Sequence, residues 1–526
     1  MDVDNVQAIE KATSKGRREL FRFGWAFLFV VAVGFYTYYA HGHISLTLVF
    51  AAVIGAYMAM NIGANDVANN VGPAVGSGAL TMTTAIVIAA IFEAGGAIIA
   101  GGNVVTTIKG GIIDPADIGD AQTFIWLMLA ALLAAALWLN LATLLGAPVS
   151  TTHSIVGGVM GAGIAAAGSF AIANWGTVGQ IVASWVVSPV LGGVIAASLL
   201  FLIKRSITYQ DDRMEAARRW VPYFLALMAW AFVTFLMIKG LSQVMTVGFL
   251  LAAVVGLAGA VLTYFITLKI IARTSHKCEN SKAGVNKLFT IPLIFAAALL
   301  SFAHGSNDVA NAIGPLAAIS DALQQADVEG SSAAIPLWVL VVGALGLAVG
   351  LALYGSKMIR TVGSEITDID QMRAYCIAMA AALTVILASQ LGLPISTTHV
   401  TVGAVFGVGF LREYIKSNYL KMEQQVQELH PDRDHNDEKV QAYLQTFRAA
   451  SIKQKKEMLN ELKDAHKRRE QHISKRQRKG LKKIYKRELV KRSLMLKVIA
   501  AWVITVPASA ILAAMIFFTI RGMMMA

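Results

Sequence analysis

The sequence is poor in charged residues and in cysteine. Of its 526 residues, 15% are charged and only two are cysteine, whereas 56% are hydrophobic and the mean hydropathy is +0.60. Cys278 lies in a basic loop and Cys376 in an apolar run, which offers neither a disulfide framework nor a metal-ligand spacing. P-loop, GxGxxG and paired CxxC motifs are also missing, so nothing supports an ATP-driven or redox machine. The composition is typical of a polytopic membrane protein.

Long apolar runs recur along most of the chain. A transmembrane helix needs about 20 apolar residues. The first run follows a basic N-terminus but is too long for a signal peptide, so we interpret it as an uncleaved anchor. We predict an all-α polytopic membrane protein with about 12–13 transmembrane segments. The candidate runs are 20–40, 47–76, 82–100, 123–145, 147–168, 176–203, 220–238, 245–272, 288–316, 335–354, 374–391, 394–411 and 496–520.

Most of the positive charge lies in one segment. Between Arg412 and Lys497 there are 24 Lys and Arg residues against 12 Asp and Glu residues, which accounts for nearly all of the net charge of +13. A basic block can bind nucleic acid, but a basic block between spanning segments indicates a cytoplasmic loop. Its end would lie beside anionic lipid. We expect membrane lipids rather than nucleic acid as its partners.

One unit occurs twice in the chain. An Asn-Asp motif, a Ser-Thr-Thr-His motif and a Trp/Pro helix each recur in the same order. The pairs are "GANDVANNVGP" (63–73) with "GSNDVANAIGP" (305–315), "APVSTTHS" (147–154) with "LPISTTHV" (393–400), and "SWVVSPVLGGVIAA" (184–197) with "AWVITVPASAILAA" (501–514).

Charge also predicts how the two copies are oriented. Loops 204–219 and 273–287 are basic, whereas 113–122 and 317–334 carry acidic residues and no Lys or Arg. With basic loops in the cytoplasm, the two Asn-Asp segments cross the membrane in opposite directions. We predict these regions: cytoplasmic N-terminus and extra anchor helix, 1–45; first transport repeat, 46–205; linking transmembrane helices, 206–287; first part of the second repeat, 288–411; basic cytoplasmic insert, 412–495; and last helix of the second repeat, 496–526.

Inverted repeats with interrupted polar helices are typical of secondary transporters, whose substrate site lies where the repeats meet. We expect broken or re-entrant helices at the motifs, because unpaired backbone groups in a membrane survive only beside a protein-buried or watery cavity. Hydroxyls beside free helix N-termini suit a tetrahedral oxyanion. The predicted anion-binding residues are Asn69, Ser150, Thr151, Thr152, Asn311, Ser396, Thr397, Thr398, Asp66 and Asp308.

The buried acids predict a cation in addition to the anion. Asp66 and Asp308 would repel an anion unless each is protonated or paired with a cation, so each is a candidate Na⁺ site or proton carrier. An isolated Asn-Asp pair is most often a turn or cap, but duplication within membrane segments argues against that role. The predicted cation-coupling residues are Asp66, Asn65, Asp308, Asn307 and Glu93, with Na⁺ at Asp66 and Asp308 as the metal option.

These segments resemble the inorganic phosphate transporter (PiT) family over both repeats. The similar segments are "GANDVANNVGP", "FEAGGAIIAGGNVVTTIKGGIID", "PVSTTHSIVGG", "FAHGSNDVANAIGPLAAI" and "GLPISTTHVTVGAVFG". The resemblance implies a multi-pass phosphate importer of the plasma membrane (the inner membrane in a Gram-negative bacterium), driven by Na⁺ or H⁺, with no other cofactor. It is also compatible with a homodimer. Two features depart from the family pattern: Ala378 stands where many members have Glu, and the basic insert follows the second Ser-Thr-Thr-His motif.

Several alternatives remain open from the sequence. A cation-coupled sulfate transporter of the same architecture fits the hydroxyl pocket. Ser150, His153 and Asp66 contain the residue types of a hydrolase triad, but duplication in opposite orientation argues against an enzyme. A passive anion channel would be hindered by its own acids. Glu93 is either a second coupling acid or a structural acid, and His153 and His399 either line the pocket or pack between helices.

The coupling role of the acids gives a first prediction. Asp308→Asn should abolish concentrative phosphate uptake, because an amide can neither carry the proton nor balance the cation. Near-normal accumulation of labelled phosphate by the Asn variant would refute that role.

Overall fold

In the residues that it describes, the computed structural model has helices as its regular elements and one isolated antiparallel bridge between Ile113 and Ala173. It describes residues 3–41, 45–147, 149–241, 245, 247–276, 278–325, 335–365, 369–429, 438–449, 454–455, 457–458, 460–461 and 492–525. The α-helices are α1 Val3–His41, α2 Leu46–Asn65, α3 Ala68–Gly76, α4 Met82–Ala100, α5 Gly102–Thr106, α6 Ala121–Leu145, α7 Thr151–Ala167, α8 Trp175–Ile203, α9 Arg213–Phe235, α10 Phe249–Ser275, α11 Lys282–Leu288, α12 Thr290–Gln325, α13 Leu337–Glu365, α14 Gln371–Gln390, α15 Thr397–Leu429, α16 Glu438–Ala449 and α17 Arg492–Met525. Most of the predicted insert 412–495 lies outside these described ranges.

Eleven helices in the described ranges are long and apolar enough to cross a membrane, against thirteen predicted runs. The predicted polytopic all-α class is confirmed. The two runs without a matching span are 147–168 and 394–411, which contain the Ser-Thr-Thr-His motifs. α7, in the first of these runs, is only 17 residues long. Each of these motifs opens the second limb of a helical hairpin, which returns to the face that its first limb came from.

The first hairpin is the pair α6 and α7. Asn174, just after α7, donates its backbone N–H to the carbonyl of Ile112, just before α6, over 2.9 Å. The start of α6 and the end of α7 therefore lie at the same face of the bundle. Gly146 makes the turn possible, since its φ of 72° lies in the left-handed region that favours glycine.

The second hairpin, α14 and α15, enters from the opposite face. Gln371 at the start of α14 donates to the carbonyl of Ser77 after α3, over 2.9 Å, and Thr208 after α8 contacts Met372. α15 runs parallel to α8 towards that same end. Its turn uses Gly392 at φ 67°, the counterpart of the glycine in the first hairpin.

The two faces of the bundle carry opposite charge. The basic segments after α8 and after α10 meet at one end, where the Arg213 N–H donates to Asn280 and Arg218 donates to Ser275. At the other end, Lys109 pairs with Asp321 close to the acidic segments. Among the described residues, the basic segments and the acidic segments therefore lie at opposite ends of the bundle, as the sequence predicts.

The two Asn-Asp motifs differ in backbone structure, contrary to the prediction that both are broken. In the first copy, Asn69 N–H donates to the carbonyl of Asp66 over 3.0 Å, a tight turn that separates α2 from α3. In the second copy, α12 runs through Asp308 without interruption. The polar residues of α12 find partners in side chains, so they do not require the backbone to unwind.

The hairpins of one repeat are packed against the last helix of the other. Gly157 and Gly161 of α7 lie against the backbone of α17, and Gly403 and Gly407 of α15 lie against the backbone of α8. Close backbone approach through small residues is the usual way that membrane helices pack. Each hairpin is therefore held by the opposite repeat.

These close contacts predict a large effect of one methyl group. A Cβ at Gly161 would overlap the backbone of Ala510, whereas a Cβ at Gly179 has no neighbour within 4 Å. Gly161→Ala should destabilise the protein by about 1–3 kcal/mol through overpacking, and Gly179→Ala, the matched control, should not. Thermal unfolding midpoints in detergent measure both. Equal midpoints for the two variants would contradict the packing argument.

Candidate functional site

The helices α7 and α15 both begin inside the bundle. Ser150 Oγ accepts from the His153 N–H and Ser396 Oγ accepts from the His399 N–H, each over 3.2 Å, so the two serines are N-caps. The residues that follow each cap are buried: Thr151 and Thr152 in the first copy, and Thr397 and Thr398 in the second. The predicted helix starts at the hydroxyl triplets are therefore present, with the serine hydroxyls used in capping.

The two motif aspartates converge on these hydroxyls. Thr151 Oγ1 donates to Asp66 Oδ2 over 2.8 Å, and it lies 3.5 Å from Asp308 Oδ2. Thr398 donates to Asp66 over 3.3 Å, and Thr397 donates to Asp308 over 3.1 Å. One carboxylate oxygen of each aspartate lies within 4.8 Å of one of the other. Both side chains are 1% exposed.

This proximity has a definite electrostatic consequence. Two carboxylates about 5 Å apart repel by about 3 kcal/mol at an effective dielectric constant of 20, and burial adds a desolvation penalty. Hydroxyl donors reduce this free energy but do not cancel the charge. The pair of aspartates therefore requires a proton or a metal cation whenever an anion is present beside it.

Two asparagines connect the repeats across the site. Asn69 Nδ2 donates to Thr398 over 2.8 Å, and Asn311 Nδ2 donates to Thr152 over 3.2 Å. The two bonds are related by the repeat, since each asparagine follows its aspartate by three residues and reaches the hairpin of the other half. The structure thus brings together the predicted aspartates, asparagines and threonines, and the two predicted serines cap the helices that carry these threonines.

The other two asparagines hold the hairpin turns, where a cation-binding role was predicted. Asn65 Nδ2 donates to Thr143 over 2.9 Å, and Asn307 Nδ2 donates to Ser389 over 3.0 Å. Asn307 Oδ1 also accepts from the Ile395 N–H. Both atoms of the Asn307 amide are therefore used by the second hairpin, and its cation-binding role stays a prediction. Asn65 keeps its Oδ1 free of any described donor.

Several buried oxygens at the site have no hydrogen-bond donor among the described residues. All are acceptor atoms, and acceptor oxygens from carboxylates and amides are the preferred ligands of hard cations. Unpartnered acceptor oxygens of this kind suit a cation rather than an anion. The atoms are Asn65 Oδ1, Asn69 Oδ1, Asn70 Oδ1, Asn311 Oδ1 and Asp308 Oδ1.

His304 is not among the predicted site residues, and the first repeat has Ile62 at the matching position. In the structure His304 Nε2 lies 3.1 Å from Asp308 Oδ2, and His304 Nδ1 lies 2.8 Å from Glu93 Oε2. Glu93 thus reaches the site through His304. The available signal was the spacing of four residues between His304 and Asp308, which puts the two side chains on one helix face.

The repeated histidines do not form a hydrolase triad. His153 packs on Trp185 with ring centroids 3.8 Å apart, and His399 packs on Trp502 at 3.4 Å. Their rings also contact each other edge to face. Since Ser150 Oγ accepts from a backbone N–H and has no contact with an imidazole nitrogen in the described structure, the residues predicted as a rival catalytic set lack the required geometry.

Comparisons with known proteins agree with this site. The family model described as "Phosphate transporter family" matches residues 62–513, which include both aspartates and both hairpins. The chain belongs to this phosphate transporter family. It is a multi-pass membrane transporter of phosphate and not an enzyme.

Known proteins match the sequence of this phosphate transporter over different lengths. A protein of Helicobacter pylori strain J99 named "Putative phosphate permease" is 50% identical and covers 98% of both chains. One of Pyrococcus abyssi with a similar name is 40% identical and covers 69% of this chain and 89% of its own. A solved structure, "The sodium-dependent phosphate transporter", has a TM-score of 0.72 at 31% identity, covering 91% of this chain and 99% of its own.

The hydroxyl of Thr151, which lies between the two aspartates, gives a prediction for this transporter. Thr151→Val keeps the shape of the side chain but leaves Asp66 Oδ2 and the Asn311 amide without this partner. A hydrogen bond to a charged group contributes about 1.5–3 kcal/mol, so KM for phosphate should rise about 10- to 150-fold. Thr151→Ser, which keeps the hydroxyl, is the matched control. A wild-type KM for the Val variant would show that this hydroxyl does not serve the site.

Proposed function

We propose that this transporter imports inorganic phosphate by secondary active transport, with a cation bound beside the phosphate at the interface of the repeats. The observation that carries the proposal is the buried pair Asp66 and Asp308, within 4.8 Å of each other and bridged by Thr151. Phosphate cannot approach these carboxylates unless positive charge arrives with it, which links the binding of anion and cation.

The anion-binding half of the site is formed by the two hairpins. The N-termini of α7 and α15 bring their threonine hydroxyls into the same region, and a helix N-terminus favours an anion. Phosphate near pH 7 can donate a hydrogen bond to a carboxylate, whereas sulfate cannot. Asp66 and Asp308 therefore favour phosphate over sulfate.

Na⁺ is the cation that we propose, with H⁺ as the competing outcome. The unpartnered acceptor oxygens of Asp308, Asn69 and Asn311 suit a hard cation, and the solved structure with a TM-score of 0.72 at 31% identity is named sodium-dependent. A proton would instead protonate one carboxylate. The two cases differ in which imposed gradient drives uptake.

Access would alternate through the hairpin turns. Lys357 of α13 donates to the carbonyl of Leu144 in the first turn over 3.0 Å, towards the basic face. Thr107 donates to the carbonyl of Gly392 in the second turn over 2.8 Å, towards the acidic face. We infer that release of one contact at a time opens the site to one side, with the basic face in the cytoplasm.

Purified protein in proteoliposomes tests the proposal. Phosphate should accumulate above equilibrium under an inward Na⁺ gradient and stop accumulating when an ionophore collapses that gradient. Excess sulfate should compete weakly, and Asp66→Asn should not accumulate phosphate. Uptake that a proton gradient alone drives would replace Na⁺ with H⁺ in the proposal.

Two results would overturn the proposal itself. Uptake that only equilibrates across the membrane would indicate a passive channel. Full competition by sulfate would indicate a sulfate transporter of the same architecture.

A further inference from the structure

A chain of buried polar side chains leads away from Asp308. His304 contacts Asp308 on one side and Glu93 on the other, over 3.1 and 2.8 Å. The amide of Asn70 donates to the second oxygen of Glu93. Glu93, His304 and Asn70 are 0% exposed, so these groups exchange nothing with bulk solvent in this structure.

The corresponding place in the other repeat is apolar. The correspondence is set by matching close contacts: Gly305 lies against the backbone of Glu93, as Gly63 lies against the backbone of Leu347. Gly96 meets Phe302 and Gly350 meets Met60 in the same way. Leu347 therefore corresponds to Glu93.

Offset by the spacing of the Asn-Asp motifs, Ile62 corresponds to His304 and Ala312 to Asn70. Asp66 thus has apolar residues at the positions where Asp308 has His304, Glu93 and Asn70. Glu93, His304 and Asn70 are therefore an addition to one half of the site that the other half lacks.

The contacts of His304 indicate how many protons Glu93, His304 and Asp308 share. Each imidazole nitrogen of His304 lies within 3.1 Å of a carboxylate oxygen, and a neutral imidazole has only one N–H to donate. Since an unprotonated nitrogen would face a carboxylate oxygen, this arrangement favours a second proton on the imidazole or on one of the carboxyl groups. Whichever atom carries it, Glu93, His304 and Asp308 together carry a net charge of −1, the same charge as Asp66 alone in the other half.

We propose that His304 is a resident counter-charge for Glu93 and a positioning residue for Asp308, so that Glu93 binds no transported cation. This inference rests on the proposed cation-coupled transport. The pair adds hydrogen-bonding structure to one half of the site without adding charge. It also fixes Asp308 Oδ2 and leaves Asp308 Oδ1 as the oxygen available to a ligand.

The pairing of Glu93 with His304 predicts opposite effects when one or the other residue is replaced. His304→Gln removes the positive partner, so the buried site becomes more negative by one charge and should take about one more cation per phosphate. Glu93→Gln removes the negative partner, so the site should take about one fewer. A role confined to packing would not move the ratio in opposite directions.

The other repeat supplies the control. The double variant Glu93→Leu with His304→Ile installs the residues of positions 347 and 62, and it restores the net charge of −1. Its ratio of cation to phosphate should return to the wild-type value, even if its rate is lower.

The measurement is the charge moved per phosphate in proteoliposomes at fixed pH and voltage, from labelled phosphate uptake and integrated current. In parallel, equilibrium dialysis of radioactive Na⁺ with detergent-solubilised full-length protein counts bound Na⁺ without requiring transport. If His304→Gln does not yield folded protein, Glu93→Gln and the double variant still give the same comparison.

The outcomes separate the two proposals. Identical ratios in Glu93→Gln, the double variant and the wild type would overturn the inference about His304, while leaving phosphate import intact. Failure of the wild type to accumulate phosphate would instead overturn the proposed function. The dialysis counts would then still decide the charge argument: one fewer bound Na⁺ in Glu93→Gln supports it, and an unchanged count refutes it.

Discussion

Two carboxylates within 4.8 Å of each other, both closed off from solvent, are the constraint on which the rest of the structure depends. Like charges this close in a weakly polarisable interior repel strongly, so the fold surrounds Asp66 and Asp308 with donors. The threonines that begin α7 and α15 supply them, and cross-repeat asparagines hold those threonines in place. The repulsion that remains gives a cation a reason to bind with the anion.

The hairpin of each repeat packs against the other repeat, and this packing links the two halves of the site. Asp66 receives hydroxyls from the hairpins of both repeats, through Thr151 and Thr398. Each hairpin in turn lies on a helix of the opposite half, along glycine contacts that leave no room for a side chain. A shift of either hairpin must therefore alter the surroundings of both aspartates together, which is what coupled binding of two ions requires.

The sequence predicted the site better than it predicted the backbone. Duplication identified Asp66, Asp308 and the hydroxyl triplets, because residues that serve a two-fold site are themselves repeated. It misjudged the backbone of α12, since polarity inside a helix can be satisfied by side chains without a break. It also passed over His304, because a rule that looks for copies cannot find a residue that is present in one half only. The sequence alone could not distinguish a hairpin from a full crossing, because α6 is long enough to cross the membrane. The hairpin turns became evident only from contacts in the structure.

The order of the last helices has its own consequence for the two hairpins. α15 is the second limb of the second hairpin, and α17 packs against the first hairpin. The chain segment between α15 and α17 therefore links the two hairpins covalently. Any displacement of one hairpin relative to the other must be accommodated within this segment.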